Sequence, residues 1–123
     1  MDYERQENLL IVRFPEYETA DQVRPHLDSA LRLSEELGHT SVLVDTTASH
    51  IALSALDYQR VGQYIERRSG GRSLRIAVVR RPGLLPEARQ LEQFSARGTV
   101  RYRVFSDREE AVEWLRGGGS TAS

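Results

Sequence analysis

Four short aliphatic runs constrain this 123-residue chain most, because a helical pattern follows each of them. The runs are "NLLIVRF" at 8–14, "SVLVD" at 41–45, "LRIAVVR" at 74–80 and "VRYRVF" at 100–105. Each is short, rich in branched aliphatics and bounded by turn formers, so each reads as a strand. The third is apolar through its centre, as suits a strand buried on both faces. After the strands, apolar residues return at helical spacing: Val23, Leu27, Ala30, Leu31 and Leu37; Tyr58, Val61 and Ile65; Ala88, Leu91 and Phe94; Ala111, Trp114 and Leu115. An order β-α-β-α-β-α-β-α demands crossover connections. The expectation is one α/β domain with a four-stranded, mostly parallel sheet and right-handed crossovers.

The helix boundaries carry their own signals. "TADQ" matches a capping box in which Gln22 reaches back to the cap, Pro25 belongs in the first turn or two, and Gly38 stops the run. Ser54 with Asp57 marks the second helix start, and Gly70-Gly71 its end. Pro86 suits the first turn of a third helix ending near Gly98. "SDREEAVEWL" reads as a capping box from Ser106 to Glu109, closed by Gly117. The domain is expected over 1–117, with "GGSTAS" at 118–123 as a disordered tail.

Composition removes whole classes of chemistry. There is no cysteine, hence no disulfide, thiolate nucleophile or cysteine zinc site. There is no lysine either, hence no Schiff base and no phosphate-binding P-loop lysine. A net charge of −1 gives no global field for nucleic acid. The longest unbroken apolar run is four residues, so no membrane insertion is expected. The polar start "MDYERQEN" has no apolar segment of the kind a secretion signal needs, so the expected location is cytoplasmic.

"SVLVDTTASHIALSALDYQRVGQYI", "LRIAVVRRPGLLPEARQLEQF" and "VRYRVFSDREEAVEWL" resemble the small bacterial STAS-like proteins over about residues 8–116. These have the SpoIIAA fold of the anti-anti-sigma factors, a fold related to the CRAL-TRIO lipid-binding domain. The resemblance implies a four-stranded βα superhelix and a binding or regulatory role. It also implies a test. Anti-anti-sigma factors carry Asp-Ser-Ser-Gly or Asp-Ser-Thr-Gly at the start of the helix after the loop, with the second hydroxyl phosphorylated. Here that motif falls on "LSAL": Leu53 replaces the aspartate, Ser54 matches the first serine, Ala55 stands at the acceptor and Leu56 replaces the glycine. Phosphorylation of Ser54 is therefore disfavoured.

The loop from Thr46 to Ser54 is the candidate site. Asp45, His50 and Ser54 invite a Ser-His-Asp reading, but no strained G-x-S-x-G elbow supports it, and Ser54 already serves as a cap. His26, His39 and His50 lie on separate elements without metal-ligand spacing, so no metal and no cofactor are expected. Six arginines fall between Arg67 and Arg81. Of these, Arg80 and Arg81 end the third strand, at the sheet edge where open α/β folds bind ligands. Thr46, Thr47, Ser49, His50, Ser54, Arg80 and Arg81 are thus the candidate residues for an anion or small ligand. The leading expectation is a non-enzymatic STAS-like binding or regulatory domain. The alternative is a carrier of a small apolar or lipid-like ligand, and an enzyme ranks third.

Strand alternation divides the sheet into two faces. Leu10, Val12, Phe14, Val42, Val44, Leu74, Ile76, Val78, Val100, Tyr102 and Val104 form one, expected beneath the helices. Leu9, Ile11, Arg13, Leu43, Ala77, Val79, Arg101 and Arg103 form the other, apolar at its centre and arginine-rich at one edge. Such a face, or an edge strand, is expected to make a homodimer.

Overall fold

The computed structural model describes residues 2–96 and 99–117, with backbone alone for 94–96. The four expected strands form as β2 (Leu9–Arg13), β3 (Ser41–Asp45), β4 (Leu74–Val79) and β5 (Val100–Phe105), all mutually parallel. The sheet has a fifth strand. Residues Asp2–Gln6 form β1, antiparallel to β2, giving the order β1-β2-β3-β4-β5 and a mixed sheet rather than four strands. The reason is local: Gln6 pairs with Leu9 across a two-residue turn in which Glu7 takes a positive φ of 56°. A hairpin that short forces its strands to be antiparallel.

Helix α1 (Val23–Leu37) follows a 3-10 turn at Ala20–Gln22, so Pro25 sits harmlessly in the first helical turn. The Gln22 side chain accepts from the Glu18 and Thr19 amides (2.6 and 3.4 Å). Gly38 ends α1 in the left-handed region (φ 72°), letting the His39 amide donate back to the Ser34 carbonyl at 2.9 Å. Helix α2 spans Ala55–Ser69. The third helix departs from expectation: α3 is a single turn, Leu85–Ala88, and Arg89–Ala96 continues as 3-10 helix. A spacing of strict threes aligns side chains along one face of a 3-10 helix. Ala88 and Leu91 follow it and are both buried. Phe94, the next in that series, has its side chain outside the described residues, as does the expected tail at 118–123. Helix α4 (Arg108–Leu115) starts one residue later than the capping box predicted. Asp107, not Ser106, is the N-cap, accepting from the Glu109 amide at 2.8 Å.

The two faces partition as the alternation predicts. All eleven residues of the first set join a core with Val23, Leu27, Ala30 and Leu31 of α1 and Tyr58 and Ile65 of α2. The second face is not free for a partner. Leu9, Ile11, Leu43, Ala77 and Val79 pack against Ala111 and Leu115, so α4 covers them and both faces carry helix. The first three helices each precede another strand and share one side. Helix α4 meets the opposite face, the apolar surface those helices leave uncovered. Polar pairs fasten it there. Arg108 meets Glu4 at 2.6 Å, Arg116 meets Gln6 at 3.1 Å, and the Arg75 guanidinium lies 4.4 Å from the Trp114 ring centre.

Candidate functional site

The β3–α2 loop runs along the C-terminal edge of the sheet, and its hydroxyls are mostly wired to the protein itself. The Thr46 amide and hydroxyl both donate to the Val79 carbonyl (3.0 and 2.8 Å), extending the β3–β4 ladder by one residue. Asp45 turns the chain: its Oδ1 accepts from the amide (2.9 Å) and hydroxyl (2.7 Å) of Thr47. Ser49 is fully buried and donates to the Tyr17 carbonyl at 2.7 Å. Ser54 then opens α2 through a reciprocal capping box. Its Oγ accepts from the Asp57 amide at 3.1 Å, while its own amide donates to Asp57 Oδ2 at 2.9 Å.

This geometry leaves no catalytic relay. The Asp45 carboxylate is engaged by Thr47 and the Ser54 hydroxyl by Asp57, and neither bonds to exposed His50. Among the described residues no three His, Asp or Glu side chains gather in a way that could hold a metal.

Ser54 therefore acts as a helix cap, and its variants should show it. Ser54→Ala is expected to lower stability by about 0.5–2 kcal/mol. Ser54→Asp, which also caps and favours the helix dipole, should be near neutral. Urea unfolding of the three proteins checks both, and a strongly destabilised Ser54→Asp would contradict the assignment.

The two arginines part company. Arg81 is exposed, and its Nε donates to the Thr47 carbonyl at 2.8 Å, joining the β4 end to the loop. Arg80 is not on the surface edge at all: it is 1% exposed. One terminal nitrogen donates to the Tyr17 hydroxyl (2.8 Å) and, more weakly, to Thr46 Oγ1 (3.4 Å). The other donates to the Ile51 carbonyl at 2.9 Å. The seven candidates thus separate into an inner group of Thr46, Ser49 and Arg80 and an outer group of Thr47, His50, Ser54 and Arg81.

Tyr17 and Tyr58 are the neighbours of the candidate site that sequence reasoning missed. Both are 3% exposed and line, with Arg80, a small, largely apolar pocket of about 40 Å³ between α2 and the sheet. Burial raises the Tyr17 phenol, and the Arg80 charge partly offsets it. Burial likewise pushes Tyr58 up to about 12, again moderated by Arg80. The only sequence hint was tyrosine in otherwise polar stretches, "FPEYET" and "LDYQR".

A pH dependence follows from Tyr58. The unfolded chain loses a tyrosine proton near pH ~10. The folded chain keeps it until about 12. Stability should therefore be intact below the first value and fall as pH rises between the two, because only the unfolded state releases the proton there. Denaturation midpoints across alkaline pH, with tyrosinate absorbance followed in parallel, check this. Tyrosinate from all five tyrosines before any loss of structure would contradict it.

No protein-family model and no curated protein matches the sequence. Solved structures do match. The chain is similar to an anti-sigma factor antagonist from Mycobacterium paratuberculosis, with a TM-score of 0.59 and 16% identity over 93% of this chain and 91% of that one. It is also matched to a DUF3478-family protein with a SpoIIAA-like fold from Shewanella loihica, with a TM-score of 0.45 and 22% identity over 93% and 90% of the two chains. A mixed sheet, helices on both faces and alignment over nearly the whole of both chains give this protein the STAS-like fold of an anti-sigma factor antagonist.

Proposed function

We propose that the chain is a non-enzymatic regulatory binding domain. Its recognition edge is the surface formed by the 46–54 loop, the start of α2 and Arg81. The main support is the fold shared with an anti-sigma factor antagonist, which points to regulation by binding. The arrangement of the edge agrees, since Ser54 and Asp45 spend their polar atoms on the backbone and on loop hydroxyls rather than on a relay. An edge of this kind needs no phosphoswitch: alanine occupies position 55, and Ser54 is the cap of α2.

Arg81 and the free amides at the start of α2 suit a small anion or an acidic partner. Titration with phosphate or sulfate, followed by backbone amide shifts, tests this edge. Shifts should centre on residues 46–56, weaken with salt and vanish in Arg81→Ala. Their absence at millimolar ligand would remove the anion from the proposal. The carrier alternative gains little from the pocket between α2 and the sheet, which offers only about 40 Å³. Benzene alone takes a cavity of about 150 Å³. Self-association, with the second face under α4, is proposed at the outer edge of β1, where Tyr3 is half exposed.

A further inference from the structure

Strand β1 turns one side of its backbone outward. Gln6 and Leu9 flank a two-residue turn, and residues in that position exchange both backbone hydrogen bonds. The alternation of an antiparallel ladder then points the amides and carbonyls of Asp2, Glu4 and Gln6 at β2, and those of Tyr3 and Arg5 away from it. Among the described residues, none bonds to these outward groups. The opposite edge of the sheet differs: on β5, Glu92 Oε2 accepts the Val104 amide at 2.9 Å. The side chains of β1 also divide by face. Tyr3 and Arg5 stand opposite Val12 and Leu10, on the side of α1 and α2, and Tyr3 is 50% exposed. Asp2, Glu4 and Gln6 stand opposite Arg13, Ile11 and Leu9, on the side of α4.

We propose that a second copy of this chain pairs with β1, antiparallel and about a two-fold axis at Glu4, so that the two five-stranded sheets join edge to edge. The pairing rests on the self-association placed at β1 and fixes its register; it is independent of the edge at residues 46–54. A two-fold axis normal to the sheet keeps every side chain on its own face, so Tyr3 can oppose only Tyr3 or Arg5 of the second copy. An axis at Tyr3 or at Arg5 sets one outward residue against itself. An axis at Glu4 sets Tyr3 against Arg5 on both sides and forms twice as many interchain backbone bonds. The side chains favour the same register. The Tyr3 ring meets the Arg5 guanidinium of the second copy, a cation already steadied by its 3.1 Å bond from Nε to His39 Nε2. On the other face Glu4 meets Glu4 of the second copy. Their repulsion is relieved, because Arg13 and Arg108 hold the Glu4 carboxylate at 3.0 and 2.6 Å. A strand that complements itself in backbone and side chains selects a copy of itself as partner.

The chain has no cysteine, so a single introduced one reports its own pairing. Under mild oxidation Glu4→Cys should form a covalent dimer, because facing side chains of a non-hydrogen-bonded pair lie closest together. Tyr3→Cys and Arg5→Cys should each stay mainly monomeric alone and cross-link when mixed. Sedimentation at high micromolar concentration should show the parent chain as a dimer. Tyr3→Pro removes an outward N–H and leaves the bonds to β2 intact, so it should fold normally and sediment as a monomer. If that variant does not fold, cross-linking decides. A dimer whose Glu4→Cys variant fails to cross-link, or whose Tyr3→Cys variant cross-links with itself as readily as with Arg5→Cys, overturns this register and leaves self-association at β1 standing. A parent chain that sediments as a strict monomer, or a dimer that a folded Tyr3→Pro variant retains, overturns both.

Discussion

Ala111→Glu is expected to unseat α4 and convert the protein into a self-associating species. Ala111 has no exposed surface and sits in the cluster formed by Leu9, Ile11, Leu43, Ala77 and Val79. A glutamate there must bury an unpaired carboxylate, at a cost of several kcal/mol, or leave the face altogether. Leaving is the easier course. The helix has only eight residues, and its other ties are surface pairs such as Arg108 with Glu4. Its departure bares an apolar face at the centre of the sheet, the kind of surface that drives association. Sedimentation and binding of a hydrophobic dye report this directly, with Glu113→Ala, on the exposed side of α4, as the control. An Ala111→Glu protein with unchanged sedimentation and melting would refute the role given to α4.

Ile65→Ala should be the costliest simple truncation in α2, at about 2–5 kcal/mol. Ile65 is 1% exposed and lines the small apolar pocket between α2 and the sheet. Removing its side chain enlarges a space that already exists rather than opening a new one. The surroundings cannot readily collapse, because Arg80 is held in place by Tyr17 and Ile51. Unretrieved cavity volume adds roughly 24 cal/mol per Å³ to the lost transfer energy, which places the expected cost in the upper half of that range. Urea unfolding with an unchanged m-value measures it, and a loss below about 1 kcal/mol would mean the cavity collapses after all.

Both expectations rest on the division of the sheet into two faces, which strand alternation made legible because an apolar residue on the wrong face is too costly to persist. What covers a face was not legible. Ala111, Trp114 and Leu115 announce an amphipathic helix, yet nothing in their spacing says which side of the sheet they meet. Strand β1 escaped for the opposite reason. "DYERQ" has one apolar residue in five, and that one, Tyr3, stays half exposed, so no burial pattern marked it. Its pairing comes from the turn and from backbone bonds, which sequence periodicity does not record. The loop's role as a cap and Asp45 as a turn former could be read because both act within three residues. Arg80 could not: its place at the end of the third strand puts it with Arg81 at the sheet edge, and its phenolic partner lies 63 residues away. Contacts of that separation exist only once the topology does.

At the far side of the sheet, Glu92 Oε2 accepts the Val104 amide at 2.9 Å, so a side chain from the 3-10 helix of Arg89–Ala96 occupies an outward-facing position of edge strand β5. Among the described residues, no such plug covers strand β1. A sheet with two open rims can recruit copies indefinitely, each newcomer offering the next template. One whose second rim is stoppered has a valence of one. Edge-to-edge joining then ends at a closed two-fold pair, because a copy added at β1 presents only blocked rims outward. If β1 takes up a second copy as proposed, the Glu92 carboxylate on β5 would favour a closed pair over an open chain of sheets.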